Sequence, residues 1–412
     1  MEFTSFVDYA FAHWRGSLTK KVAPKTMCLL GSPGIGKSST AYALKERMTA
    51  YVRKNPDVIL DTLPEDFFGG DKPTREETRA ILQSSEAVAR LLDFSSMLPE
   101  DLNGLPFREG LFTRYCPQEW VAELTSRLAY GVMVLDDLPA SSTAMQIAGR
   151  QSALERRIHD HRFAPGILIV VTGNRRQDKA GASKLPSHFI NSVTVLGIEP
   201  NVDEWCKWYG AQEHLAPVVA AFLRWKPELL SETPDKASKK TGAFATPRQW
   251  ANLGHQFDDA NEAGKHILFE VASGIIGDGN AATFGGFVEI HSQLIDPELV
   301  FDDPKGALPK PGTMLDEASK LVAMACALGE IGANRAKRGK GKAKAEAAEK
   351  LLRSLSWATS ENQEYCAMGV QTFLDAGGDL TQIARVAREK RTDPVIGAML
   401  GHLKAALLSP KK

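Results

Sequence analysis

Leu29-Leu30-Gly31-Ser32-Pro33-Gly34-Ile35-Gly36-Lys37-Ser38-Ser39-Thr40 decides how the rest of the chain is read. It has the form G-x-x-x-x-G-K-[ST], and its flanks suit that form. Met27-Cys28-Leu29-Leu30 is an apolar run fit for a buried strand, and Ala41 to Met48 has helical character. Strand, loop and helix therefore follow in order. Gly31, Gly34 and Gly36 permit backbone angles closed to other residues, so successive N–H groups can point inward at an anion. A helix starting near Lys37 adds the positive end of its dipole. The loop is thus expected to hold the phosphates of a nucleoside triphosphate through Gly31, Ser32, Pro33, Gly34, Ile35, Gly36, Lys37, Ser38 and Ser39. Lys37 supplies a mobile charge for the β- and γ-phosphates, and the Ser38 hydroxyl is a ligand for Mg²⁺.

Composition sets the frame. The 412 residues are enough for two or three domains, and 43% hydrophobic with 24% charged residues is ordinary for a soluble globular protein. The formal net charge is zero, which argues against a global polyanion-binding surface. No apolar run reaches the length of a membrane span, and Met1-Glu2-Phe3-Thr4 does not open a signal peptide, so a cytoplasmic protein is expected. Cys28, Cys116, Cys206, Cys326 and Cys366 are scattered and contain no C-x-x-C pair, the pattern of reduced thiols. His159 and His161 form the one His-x-His, read as surface polar residues rather than metal ligands.

Along the chain, Met1 to about Gly16 is apolar enough for a helix beside the nucleotide core. Residues 56–90 read as an insertion, with Val58-Ile59-Leu60 as a short strand and Thr74 to Leu92 as a helix. Further strands are expected at Leu91–Ser95, Gly131–Asp137, Ile167–Val171 and Ser192–Leu196, with a helix over Gln146–Ile158. Continuous apolar strands separated by helices predict an α/β fold, a five-stranded parallel sheet covered on both faces over residues 1–200. After Pro200 the strands stop. Helices are expected at Asp203–Tyr209 and Leu215–Trp225, and another opens at Thr246-Pro247-Arg248 with proline in its first turn. This divides the remainder into a helical segment 201–270 and a helical extension 271–412. Within the extension, Arg335 to Lys344 carries six positive charges in ten residues and reads as a solvated linker, before a firm helix over Lys344–Leu355.

Asp136 and Asp137 end the apolar run Gly131-Val-Met-Val-Leu. A carboxylate at such a strand end, downstream of a phosphate loop, holds Mg²⁺ through its water shell, and a second one orients the attacking water. Asn174 ends the next strand, where an amide can hydrogen-bond that water and the γ-phosphate.

The ordered series Gly-Ser-Pro-Gly-Ile-Gly-Lys-Ser, Leu-Asp-Asp-Leu-Pro, Gln-Ser-Ala-Leu-Glu-Arg-Arg and Thr-Gly-Asn-Arg-Arg-Gln-Asp-Lys-Ala-Gly resembles the AAA+ superfamily. Within it, the chain is similar to the MoxR-like ATPases of bacteria and phages, relatives of magnesium chelatase and dynein-type modules. Asp101-Leu-Asn-Gly-Leu-Pro106 and Thr246-Pro247-Arg248-Gln249-Trp250 resemble further landmarks of that group, and the likeness covers about residues 20 to 270. It implies a P-loop NTPase core, a helical lid over 201–270, Lys37 and Ser38 on phosphate and Mg²⁺, and Asp136 and Asp137 as Walker B. It also implies Asn174 as sensor 1 and Arg248 as sensor 2. The family's Asn-Arg-Phe before the fifth strand is Asn191-Ser192-Val193 here, so Ser192 replaces an arginine that acts across the ring. Arg156, Arg157, Arg175 and Arg176 are the substitutes on offer.

The resemblance implies an ATPase forming a homo-oligomeric, hexameric ring that remodels a partner protein, often one with a von Willebrand factor A domain. A DNA-directed motor or loader, using the basic run, is a second reading. It is disfavoured by the zero net charge and the lack of a DNA-binding motif. A nucleotide-bound scaffold with weak hydrolysis is a third, suggested by Ser192 and by Asp137 being one methylene shorter than glutamate.

Overall fold

The computed structural model describes residues 1–68, 73–175, 185–212, 214–233, 241–292, 294–308, 318–339, 342–359 and 362–389. The chain divides at Pro200 and Asn201 into two compact units.

The first unit is α/β. In chain order its strands are β1 (Met27–Gly31), β2 (Val88–Asp93), β3 (Leu105–Glu109), β4 (Phe112–Cys116), β5 (Tyr130–Asp136), β6 (Arg157–Ile158), β7 (His161–Arg162), β8 (Gly166–Gly173) and β9 (Thr194–Ile198). Five of them form one sheet in the order β2-β5-β8-β1-β9, and every pairing in it is parallel. The apolar runs are unbroken because both faces are covered. Tyr130, Val132, Val134, Leu168, Val170, Met27 and Leu29 enter one core, with Phe6, Trp14 and Leu44 from the helices Phe3–Thr19 and Thr40–Lys54. The alternate residues Met133, Leu135, Ile167, Ile169, Val171 and Cys28 enter the other. Trp14 also donates its indole N–H to the Gly166 carbonyl at 2.8 Å, tying the first helix to the sheet.

Several local expectations change. Val58–Leu60 is helical, within Asp57–Leu60, and the helix capped by Thr74 runs only from Arg75 to Ser84. Thr74 and Glu77 form a reciprocal capping box there. β2 then begins at Val88, earlier than Leu91. It is an edge strand with mixed burial, so its apolar signal is weak. The helix expected over Gln146–Ile158 is Thr143–Arg150 followed by a π-turn over Gln151–Glu155, and Arg156 then turns left-handed at φ 52°. Two hairpins, β3–β4 and β6–β7, were not signalled by the sequence. Every residue of β3 and β4 is exposed, so no alternation of apolar and polar residues was required of them.

Among its described residues the second unit is helical throughout. Its successive helices include Val202–Gly210, Pro217–Trp225, Pro247–Glu262, Lys265–Ile276, Asp278–Ser292, Ala318–Arg338, Lys342–Ala358, Gln363–Asp375 and Leu380–Glu389. Phe222 lies at the centre of one core, with Trp250, Phe284 and Phe287 at ring-centroid distances of 5.4, 5.3 and 5.6 Å. The basic run is not a linker at either end: Arg335–Arg338 complete one helix and Lys342–Lys344 begin the next. Residues 340 and 341 lie outside the described residues, as do 309–317. No helix among the described residues is long and apolar enough to cross a membrane.

Gly131 sits where β5 meets β2, at φ 144°, and a Cβ there would lie 2.0 Å from the Val88 carbonyl oxygen. Gly131→Ala is therefore expected to lower unfolding stability by about 2–4 kcal/mol through strain and loss of the edge pairing. Urea denaturation followed by circular dichroism measures this. A change within about 0.5 kcal/mol, as surface substitutions give, would contradict the assigned register.

Candidate functional site

The sheet order brings three strand ends together. β8 lies between β1 and β5, with Leu30 beside Gly173 and Leu135 beside Val171. The glycine-rich loop after β1, Asn174 and Asp136 thus emerge side by side at the carboxyl edge of the sheet, where open α/β sheets bind ligands.

Gly31 is the last residue of β1, and the chain turns from Ser32 to Ser39 before the helix at Thr40. That helix starts three residues later than expected. The Ser39 N–H bonds the Gly36 carbonyl at 3.0 Å and the Thr40 N–H bonds the Lys37 carbonyl at 3.3 Å, a tight lead-in turn. Gly34 and Gly36 have φ of 73° and 89°, angles that favour glycine. Among the described residues the N–H groups of Gly34, Gly36 and Ser38 meet no acceptor. Partly buried N–H groups left over in one glycine-bearing turn suit an anion.

Lys37 is buried, at 7% exposure. Its ammonium donates to the carbonyls of Gly31 at 2.9 Å and Ser32 at 2.8 Å, and to Asn174 Oδ1 at 2.9 Å. The other end of the Asn174 amide reaches Asp137 Oδ1, weakly, at 3.5 Å. Ser38 Oγ donates to Asp136 Oδ2 at 2.7 Å. Lys37, Asn174 and Asp137 therefore form one hydrogen-bonded set and Ser38 and Asp136 a second, and Thr172 joins the two. Asp137 adopts φ 52°, an uncommon angle for a residue with a side chain, at the turn where β5 ends.

Thr172 was missed by sequence reasoning. It is fully buried on β8, its hydroxyl donates to Asp136 Oδ1, and it accepts the Asp137 N–H at 3.3 Å. A hydroxyl at the end of the apolar run Ile167–Val171 was the available signal. Asp93, which pairs in register with Asp136, is held below the usual carboxylate range by its hydrogen bond from the Ser95 hydroxyl. Behind the loop, burial pushes the Cys28 thiol up to about 12, leaving it protonated and inert.

The arginines separate by environment. Arg156 donates to the carbonyls of Pro24 at 3.2 Å, Ala164 at 3.0 Å and Ile167 at 2.6 Å, and burial draws its pKa down to about 10. Its guanidinium is spent on carbonyls of its own chain. Arg157 is held by Glu155 at 2.6 Å and by the His159 carbonyl at 2.7 Å. Arg175 lies against the glycine-rich loop of its own chain, donating to Ser32 Oγ at 2.8 Å and pairing with Glu199. Ser192 is exposed and donates to the His188 carbonyl at 2.8 Å. Arg176 lies outside the described residues, as does the rest of the quoted Arg-Arg-Gln-Asp-Lys-Ala-Gly after Arg175. Arg248 is exposed in the first turn of the second unit's helix Pro247–Glu262, whose cap is the Thr246 hydroxyl accepting the Gln249 N–H at 3.2 Å.

No family model and no curated protein matches this chain. The site itself must therefore carry the chemistry. Among the described residues no three His, Cys, Asp or Glu side chains gather as a protein-only metal cage. The oxygen pair of Ser38 and Asp136 fits a hard ion such as Mg²⁺, which keeps several waters and takes phosphate oxygens as further ligands.

Arg156→Met should lower stability by about 3 kcal/mol, because three internal carbonyls lose a charged donor. Chemical denaturation of the variant reads this directly. Unchanged stability would show that the inward hydrogen bonds are not made in solution.

Proposed function

We propose that this chain binds and hydrolyses ATP with Mg²⁺ as an AAA+ ring protein of the MoxR-like kind, remodelling or assembling a partner protein. The observation that carries the reading is the hydrogen-bonded group in which Asn174 links Lys37 to Asp137 while Ser38 bonds Asp136. In this reading residues 1–200 are a P-loop NTPase core, 201–270 a lid and 271–412 a helical extension.

The roles follow from the contacts. The ammonium of Lys37 now rests on loop carbonyls, and it transfers to phosphate oxygens when these enter the loop. Gly34, Gly36 and Ser38 supply backbone donors. Mg²⁺, when bound, neutralises phosphate charge, with Ser38 and Asp136 as its protein oxygens. Asp137 orients the attacking water, and Asn174 fixes Asp137 and Lys37 relative to one another. Arg175 acts in cis, orienting the loop through Ser32, and Arg157 remains the candidate to act on a neighbouring subunit. Arg156 is withdrawn from that role by its three internal carbonyls.

The exposed hairpin β3–β4 supports a protein partner. It presents Leu111 at 91%, Leu105 and Phe112 at 73% and Phe107 at 46% exposure, an apolar surface of the sort that engages other proteins. A slow-hydrolysing scaffold is the competing reading, favoured by Ser192 standing where the family's arginine is expected.

Lys37→Ala should abolish measurable ATP binding in calorimetry, and binding at wild-type affinity would refute the site. Asp137→Asn should bind ATP normally yet lose turnover by about 100-fold, the scale of a general-base contribution. If the wild-type rate is already near zero, with or without DNA, the scaffold reading replaces the ATPase. Stimulation by DNA would instead favour the motor.

Arg248→Lys tests the lid. A guanidinium binds phosphate through paired hydrogen bonds that lysine cannot reproduce. The variant should weaken hydrolysis and ATP-dependent oligomerisation more than ADP binding. Equal losses for both nucleotides would remove Arg248 from the γ-phosphate.

A further inference from the structure

The turn that follows β5 is held against β8 by two neighbouring residues. Gly173 acts by having no side chain. A Cβ there would lie 2.4 Å from Pro139 Cγ, so Pro139 can close on the strand only where no side chain stands. Thr172 acts through its hydroxyl. It is fully buried and paired in register with Leu29 of β1. It donates to Asp136 Oδ1 and accepts the Asp137 N–H at 3.3 Å.

A valine would fill the same space and suits a buried strand as well. What threonine adds is one O–H donor and its lone pairs, and here both serve consecutive aspartates. The two bonds have different consequences. The donated one engages Oδ1 of Asp136 and leaves Oδ2 to Ser38, whose hydroxyl donates to it at 2.7 Å. The accepted one steadies the main chain of Asp137 at φ 52°, an angle that persists in a residue with a side chain only where its surroundings hold it. One hydroxyl therefore ties both acids to the same strand.

We propose that Thr172 is a positioning residue for both acids. Through Asp136 it sets the hold on Mg²⁺, and through Asp137 it sets the place of the attacking water. This rests on the ATPase reading and deepens it, adding a residue that acts only through the two aspartates. An outer-shell partner of a metal-binding carboxylate contributes about 10–100-fold in metal affinity or activity. It contributes nothing to phosphate binding by Lys37 and the glycine-rich loop. The signature is thus a selective loss, in which metal binding and turnover fall while metal-free nucleotide binding stays.

The test compares Thr172→Val, Thr172→Cys and Thr172→Ser in the full chain. Mn²⁺ affinity is read by electron paramagnetic resonance with a non-hydrolysable ATP analogue present. Analogue affinity in EDTA is read by calorimetry, and turnover is read at saturating Mg²⁺. Thr172→Val should weaken Mn²⁺ binding about tenfold or more and slow turnover about 10–100-fold, with analogue affinity in EDTA changed by less than about threefold. Thr172→Ser, which keeps the hydroxyl, should stay within about threefold of wild type in all three. Thr172→Cys should fall between them, because a thiol is a weak donor and acceptor, and it carries the test if the valine variant does not fold. The Mn²⁺ measurement decides even where wild-type turnover is near zero.

Wild-type Mn²⁺ affinity and turnover in Thr172→Val would overturn the proposal. So would a serine variant as impaired as valine, or an equal loss of analogue binding in EDTA, which would mark a structural role only. A wild-type chain that binds no analogue with Mg²⁺ would instead bring down the ATPase reading, and the proposal with it. Wild-type binding beside an unaffected valine variant removes Thr172 alone.

Discussion

The ammonium group of Lys37 is the point on which the first unit turns. A buried cation must be surrounded by oxygens, and among those that hold it are two loop carbonyls and the Asn174 amide. Charged hydrogen bonds of this kind are worth about 1.5–3 kcal/mol each, enough to set the shape of the loop and fix Asn174 in the same stroke. That arrangement exists only because β8 lies between β1 and β5. With any other strand between them, Lys37, Asn174 and the two aspartates would end at separate places along the sheet edge. The helices on the two faces serve that order by covering strands too apolar to face water.

Much of this was legible in the residues. The glycine spacing around Lys37, the apolar strand before it and the acidic end of Gly131–Asp137 are local patterns, and local patterns survive in a single sequence. Unbroken apolar runs announced a parallel sheet because both faces of such strands are buried. The exposed hairpin at Leu105–Cys116 left no such trace, since nothing buries it. Thr172 and Arg175 were harder still. The roles of these two residues come from partners at Asp136 and Ser32, and strand adjacency, not periodicity, makes those contacts. Arg156 reads as a charged helix end, yet the left-handed turn after the π-segment points it inward.

The helical unit shows the same division. Its helices were readable from composition and capping, including the proline start at Thr246–Pro247. Its interior polar pairing was not. Arg224 and Asp375 are 151 residues apart, and no spacing rule joins them. Glu330 looks like any glutamate on an amphipathic helix until the packing leaves it facing a cavity. Buried charge is set by tertiary structure, so it is where sequence reading fails.

A structure determined with Mg²⁺ and a non-hydrolysable ATP analogue would decide whether the cluster around Lys37 is a triphosphate site. Phosphate oxygens are expected on the N–H groups of Gly34, Gly36 and Ser38, with the ammonium of Lys37 moved from the Gly31 and Ser32 carbonyls onto those oxygens. Density for the analogue elsewhere, or a loop with Lys37 still on its carbonyls at saturating analogue, would contradict that assignment.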